Sequence, residues 1–308
     1  SPIYNISLSS KELFHSNFLA WLCEMYPKEM GSVFAEFLGL TDEIQIDVSS
    51  VERETKNIDL QFSLKSGEKV IIENKVKSLP YKAQLTEYAE KYIGEENVNY
   101  ILLSLSEPEH LFKSKKEKVI ECELSNGGLA MWNYLSYEQL AAALAKKLKS
   151  ITDTYHRAMV IDYVDLLKSL IEITKLAEVD ENDLLNFQSD NIHAALSEIR
   201  LDGFYLKKKG EHIINLIRQK LNIDNTKVHY AIKAQSEDFK VGDIVFNSTM
   251  VRGKNVVLMY YKVSKELVYA LEIDGQNYIV GCIFLIKSLK RVDELWAGFM
   301  KNEKKLFS

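Results

Sequence analysis

Several of the residue types that mark well-known sites are scarce or badly spaced in this sequence. Only three of the 308 residues are cysteine. Cys23, Cys122 and Cys282 are scattered, odd in number and without C-x-x-C spacing, which argues against a disulfide framework or a zinc site. His193, His212 and His229 also lack metal-ligand spacing. No phosphate-binding glycine motif, serine nucleophile elbow, internal repeat or low-complexity segment occurs. No uninterrupted apolar run approaches the ~18 residues of a membrane-spanning helix, and the first residues carry neither a basic n-region nor an apolar h-region. The expectation is a cytoplasmic chain with reduced thiols and no membrane partner. Positive charge is not in excess either: 39 Lys and Arg against 44 Asp and Glu leave a net charge of −5, so any contact with a polyanion has to be local.

The chain is rich enough in apolar residues for a sizeable core. Hydrophobic residues make up 46% and charged residues 27%, as in a globular chain of one large or two ordinary domains. Its most informative stretch runs from Asn57 to Lys77. Ile58, Leu60, Phe62 and Leu64 alternate with Asn57, Asp59, Gln61 and Ser63, the period of a strand, and Lys69 to Lys77 behaves the same way. Between them, Lys65-Ser66-Gly67 fits a three-residue hairpin loop with glycine at the left-handed position, which sets Leu64 opposite Glu68. Counting back from that register puts Asp59 opposite Glu73. Two carboxylates facing each other across an antiparallel pair repel, so the arrangement requires a cation between them. Lys75 points to the same face as Glu73. An acidic pair beside a lysine suits Mg²⁺ or Mn²⁺ next to a phosphodiester: oxygen ligands match hard cations, and the lysine can orient water or neutralise developing charge.

Asp59 and Glu73-Asn74-Lys75 resemble the active site of the PD-(D/E)XK nuclease superfamily, an acid at the end of one strand and acid-x-lysine on the next. Nine residues past Lys75, Gln84-Leu85-Thr86-Glu87-Tyr88 is similar to the Q-x-x-x-Y element of RecB-type members, carried on the helix after the catalytic strand. Upstream, Glu12-Leu13-Phe14-His15-Ser16 lies where the superfamily often has an additional acid or a histidine. One departure is that Ile58, not proline, precedes the first acid. The resemblance covers roughly the first half of the chain. It implies an α/β fold with a restriction-endonuclease-like core: helix, mixed sheet with the catalytic hairpin, helix, strand. It also implies a metal-dependent nuclease on nucleic acid, with DNA the expected substrate, in bacterial or phage settings such as repair or defence. On that reading Asp59, Glu73 and the main-chain carbonyl of Asn74 would hold Mg²⁺ or Mn²⁺, Glu12 would complete the outer ligation, and His15 is a further candidate ligand. Lys75 would position the water.

A glutamine at position 84 can hydrogen-bond the scissile phosphate or a metal-bound water, and the Tyr88 hydroxyl can support a backbone contact. Other readings stay open. Glu12 also fits a first-turn acid favoured by the helix dipole, and His15 a satisfied core histidine. The acidic net charge keeps one rival class in view, a catalytically inactive nucleic-acid- or protein-binding module that retains the fold. The candidate basic patches are Lys113 to Lys118, Lys207-Lys208-Lys209 and the tail from Lys287 to Lys305, each of which also reads as a solvated face.

Taken in order, Ser9 or Ser10 can cap a helix from Lys11 to Tyr26, with Phe14, Phe18, Trp21 and Met25 as its apolar stripe. Glu12, His15, Leu19 and Leu22 form the adjacent stripe. Met30 to Leu38 reads as a helix ended by Gly39. A strand then runs from Ile44 to Thr55, with Glu52 and Glu54 as rival acids or an exposed edge. From Pro80 to Tyr92 the period is helical, with Tyr81, Gln84, Leu85, Tyr88 and Tyr92 on one stripe and Glu87 paired with Lys91. Asn99 to Leu105 predicts a strand covered on both faces, and Val119 to Leu124 another, followed by a turn at Asn126-Gly127-Gly128. Ser136 opens a capping box for a helix to Lys149, and Tyr155 to Leu176 forms a further helix. The acidic run Glu178 to Asp183 marks a boundary between a nuclease-like domain, 1–178, and an α+β domain, 179–308, whose role is binding or assembly. That second domain predicts helices near 184–200, 210–221 and 289–300, and strands at 228–234, 243–249, 255–262, 267–273 and 277–286.

Overall fold

The strand Lys69–Lys75 is buried along nearly its whole length, and the N-terminal half of the chain is laid out around it. The computed structural model describes residues 3, 7, 11–40, 44–77, 79–113, 116–178, 191–221, 227–230, 239–251, 254–274 and 277–285. The chain divides into two units, Ser1–Ala177 and Glu178–Ser308. In the first, α1 (Lys11–Met25) and α2 (Pro27–Leu38) lead into β1 (Ile46–Glu52), β2 (Leu60–Leu64) and β3 (Lys69–Lys75). Then come α3 (Lys82–Glu90), β4 (Val98–Ser104), β5 (Val119–Glu123), β6 (Leu129–Ser136), α4 (Tyr137–Lys147) and α5 (Thr154–Leu176). The six strands make one mixed sheet ordered β1-β2-β3-β4-β6-β5, parallel from β3 through β4 to β6 and antiparallel elsewhere. Parallel neighbours need a crossover, which α3 supplies between β3 and β4. The result is an α/β fold with a restriction-endonuclease-like core.

The two faces of the sheet bury different sets. Ile71 of β3 packs with Leu85, Tyr88, Ala89 and Tyr92 of the α3 region and with Leu102 and Trp132. On the opposite face Phe62 meets Phe34 of α2, ring centroids 5.2 Å apart. Each such aliphatic or aromatic side chain, fully buried, stabilises the fold by roughly 1.5–3 kcal/mol. Gly31 lets α2 approach the chain entering β1: a Cβ there would stand 2.4 Å from the main-chain oxygen of Ile44.

The hairpin has the expected register. Leu60 pairs with Ile72 and Ser63 with Lys69, the Leu64 N–H donates to the Glu68 carbonyl at 2.7 Å, and Gly67 takes φ +105°. Ile58 departs from the predicted alternation. Lys56 and Asn57 both have positive φ, and the Ile58 N–H donates to the Thr55 carbonyl at 2.9 Å, closing a tight reverse turn. The turn rotates Ile58 out of strand phase, so it joins the cluster around Ile71, while Leu60 and Phe62 serve the other face. The strand before it ends at Glu52 and does not reach Thr55.

Helix α1 differs from expectation in part: Phe18 is buried as expected, but His15, Leu19 and Leu22 are buried as well and Met25 is 48% exposed. The aromatic stripe is engaged sideways: Phe18 stacks on Tyr163 of α5 at 4.1 Å, and Trp21 lies edge-on to His156 at 5.1 Å. The Ser9 and Ser10 caps lie outside the described residues. β6 was not anticipated, although its burial alternates over most of its length.

In the second unit, α6 (Asn191–Glu198) and α7 (Asp202–Leu221) accompany β7 (Val228–Tyr230), β8 (Ile244–Val251), β9 (Lys254–Lys262), β10 (Leu267–Asp274) and β11 (Asn277–Phe284). The sheet order is β11-β10-β9-β8-β7, with only the β7–β8 pair parallel. α7 begins eight residues before the predicted Gly210. It therefore takes in Lys207-Lys208-Lys209, and this candidate patch is no solvated face. Lys208 and Lys209 are 2% and 5% exposed, their ammonium groups lie over the Phe204 and Tyr205 rings, and Lys208 pairs with Glu211 at 2.8 Å. In the first patch, Lys113 pairs with Glu121 and Lys118 with Glu107. The basic tail, the 289–300 helix, residues 184–190 and 231–234, and the acidic boundary after Glu178 lie outside the described residues. Among the described residues no helix is long and apolar enough to cross a membrane.

Candidate active site

The candidate residues gather where β3 ends. Its last residue, Lys75, pairs with Ser104, the last of β4, and Ser104 with Ser136, the last of β6, so the site lies at the carboxyl ends of the parallel strands. Open α/β sheets place ligands at such ends. Continuing the β2–β3 register one step beyond Leu60 and Ile72 sets Asp59 against Glu73. Asp59 Oδ2 accepts the main-chain N–H of Asn74 at 2.7 Å, and Glu73 Oε1 meets Lys75 Nζ at 2.6 Å. Glu73 is 2% and Lys75 8% exposed.

By strand period Glu73 and Lys75 share the face of Ile71, the face covered by α3. That helix brings Gln84 and Tyr88, one turn apart, with Gln84 Nε2 donating to the Tyr88 hydroxyl at 2.6 Å. Burial and then the Glu73 charge raise the pKa of Tyr88, so its hydroxyl lies within the field of the carboxylates.

The electrostatics follow from burial and crowding. Burial and then the Asp59 charge push Glu73 up to about 8. Burial pushes Asp59 up to about 6 against the pull of the Asn74 N–H, with exposed Glu54 adding to the rise. For Lys75 burial acts downward, but Glu73 beside it, helped by Glu12 and Asp59, leaves the ammonium above its ordinary value.

Asn74 faces the other way, toward α1 and α4. Its Nδ2 donates to the Glu12 main-chain oxygen at 3.1 Å and to Ser16 Oγ at 3.2 Å, and its Oδ1 accepts from the Tyr137 hydroxyl. The Glu12 carboxylate accepts the Lys77 N–H at 3.1 Å, which holds it just past the end of β3. His15 meets Tyr163 of α5 and Tyr137 of α4. It is fully buried, its Nδ1 shares a hydrogen bond with the Tyr163 hydroxyl at 3.0 Å, and its ring stands edge-on to Tyr137 at 5.3 Å. Glu52, the rival acid, accepts from Gln61. Sequence reasoning missed Tyr137, read only as part of a capping box, and Ser16. The available signal was Asn74 itself, since a buried amide requires partners.

Among the described residues no three His, Cys, Asp or Glu side chains gather into a metal-binding group, so the acidic set is the pair Asp59 and Glu73. Glu73 Oε2 and Gln84 Oε1 are both buried without a hydrogen-bond partner among the described residues. Orphaned acceptors beside a second carboxylate are what an absent cation or its waters would satisfy, and Mg²⁺ commonly takes only one or two carboxylates. The oxygen-only donor set therefore fits a hard divalent ion. No curated protein and no solved structure matches the chain significantly. A family model described as the PD-(D/E)XK nuclease superfamily matches residues 2–165, more than half of the chain. The chain therefore belongs to the PD-(D/E)XK nuclease superfamily.

Proposed function

We propose that the protein is a divalent-metal-dependent nuclease acting on DNA, in a setting such as bacterial or phage repair or defence. Members of the superfamily are generally nucleases and typically use divalent metals. The observation that carries the reading is the pair of half-buried Asp59 and buried Glu73, with Lys75 Nζ 2.6 Å from Glu73 and an orphaned Glu73 oxygen. A static core has no use for two carboxyls and an ammonium crowded together, since each ion buried costs several kcal/mol before partners are counted.

Asp59, Glu73 and the Asn74 carbonyl would hold Mg²⁺ or Mn²⁺, which when bound polarises a phosphodiester oxygen and lowers the pKa of the attacking water. Lys75 holds its proton across the neutral range and presents fixed positive charge where negative charge develops during attack. The Asn74 N–H keeps Asp59 aligned. Gln84 gives one amide N–H to Tyr88 and offers Oε1 as an acceptor to a water or a hydroxyl, with its second N–H left to donate. Glu12 braces the chain after Lys75. The second unit engages substrate or supports assembly, and carries none of these residues.

The acidic net charge supports one rival, a binding module that keeps the fold without the chemistry. Thermal melting with Mg²⁺ or Mn²⁺, paired with cleavage assays on plasmid and single-stranded DNA, decides between them. A rise in melting temperature together with metal-dependent cleavage is expected. Metal-insensitive melting and intact DNA would leave only the binding module.

A further inference from the structure

Asn74 lies between the two charged residues of β3, 2% exposed, with its side chain on the face opposite theirs. Every polar atom of that side chain is used: Oδ1 accepts from the Tyr137 hydroxyl, and Nδ2 donates to the Glu12 carbonyl at 3.1 Å and Ser16 Oγ at 3.2 Å. Its main-chain N–H meanwhile reaches Asp59 Oδ2 at 2.7 Å. Adjacent strand residues share a peptide plane, so a backbone rotation at Asn74, which would strain the amide's contacts, also turns the N–H from Asp59 and moves Glu73 and Lys75 from their places. Tyr137 is well anchored to resist that rotation. It is 1% exposed, it is the first residue of α4 behind the reciprocal Ser136–Gln139 capping box, and His15 stands edge-on to its ring at 5.3 Å.

We infer that Tyr137 and Asn74 are positioning residues: their side-chain hydrogen bond sets where Glu73 and Lys75 stand relative to Asp59, and so governs turnover without touching substrate. The inference rests on the nuclease reading above. A buried tyrosine that merely filled space would affect folding and leave the rate of each folded molecule unchanged. Small displacements of reacting groups, by contrast, cost rate steeply, roughly 10²-fold for 1 Å.

The test uses the full chain with Tyr137→Phe, Asn74→Ala and the double variant, measuring melting, Mn²⁺ affinity by calorimetry, and kcat and KM on DNA. Tyr137→Phe is expected to stay folded, lose about tenfold or more in kcat, hold KM within about twofold, and bind Mn²⁺ more weakly. If the two residues act through each other, the double variant is no slower than Asn74→Ala alone. A folded Tyr137→Phe with wild-type kcat, or effects that multiply in the double variant, overturns the inference while the nuclease reading stands. Should Tyr137→Phe not fold, Ser16→Ala loosens the same amide from its other side. It is expected to lower kcat in the same sense, and a wild-type kcat there is equally fatal. A wild-type protein that neither binds Mn²⁺ nor cleaves overturns the nuclease reading and this inference together.

Discussion

The main-chain N–H of Asn74 donates to Oδ2 of Asp59 at 2.7 Å, spanning the two strands one step beyond the last paired residues of the β2–β3 ladder. The ladder would otherwise continue with two opposed carboxylates, an unfavourable pair. The hydrogen bond ties the first acid to the residue between the second acid and the lysine, so the motif is held together by backbone as well as by charge.

Glu73→Gln is expected to abolish metal-dependent cleavage while leaving the chain folded. The substitution removes a carboxylate that the cation needs, and it also removes the repulsion with Asp59, which is among the causes of the high Glu73 pKa. Melting of the metal-free variant should match or exceed wild type, and the Mn²⁺-induced rise should vanish. Wild-type cleavage by this variant would sink the assignment of Glu73.

Asp59 and Glu73 hold protons more tightly in the folded chain, about 6 and about 8 against ordinary values of 3.8 and 4.5. Below about pH 4 both states are protonated and this contribution to stability is complete. As pH rises through 6 and then 8 the two carboxyls must ionise and the contribution is lost. The metal-free protein should therefore melt at a lower temperature near pH 8.5 than near pH 5.5, and Glu73→Gln should show a shallower fall. Stabilisation by a fixed Mn²⁺ concentration should grow across the same window as proton competition fades. Equal pH slopes for wild type and Glu73→Gln would show that Glu73 is not the titrating group.

The hairpin was legible because its determinants are local. A period of two, a glycine able to take φ +105° and a three-residue loop fix the register, and the register alone brings Asp59 to Glu73. Ile58 escaped because the turn before it places Lys56 and Asn57 at positive φ without a glycine to announce it. His15 stayed open for a different reason: ligand and core histidine look alike on one helix, and its hydrogen-bond partner Tyr163 lies 148 residues away. The lysines at 208 and 209 belong to the same class, since only tertiary packing could show that a basic run is buried.

All the site residues fall within Ser1–Ala177. Expressed alone, residues 1–177 are expected to fold and to keep the Mn²⁺-dependent rise in melting temperature. Cleavage lost with metal binding kept would assign substrate engagement to the second unit. Loss of metal binding as well would mean that the boundary cuts into the core of the first unit.

Lys75→Ala separates an enzyme from a binding module. Lys75 Nζ contacts Glu73 Oε1 at 2.6 Å and, being a cation, is no metal ligand. Its removal takes away a competing positive charge, so Mn²⁺ affinity should stay near wild type or tighten. Turnover should fall by roughly 10²-fold or more, the size of loss when one preorganised electrostatic contact is deleted from a site of developing charge. In a binding module the same substitution would only weaken DNA affinity and flatten its salt dependence by about one phosphate contact. Measuring Mn²⁺ affinity, DNA affinity against salt and cleavage rate on this one variant separates the two. If neither wild type nor variant cleaves single or double strands in Mg²⁺ or Mn²⁺, while Lys75→Ala binds DNA more weakly, the family assignment survives and the enzymatic claim does not.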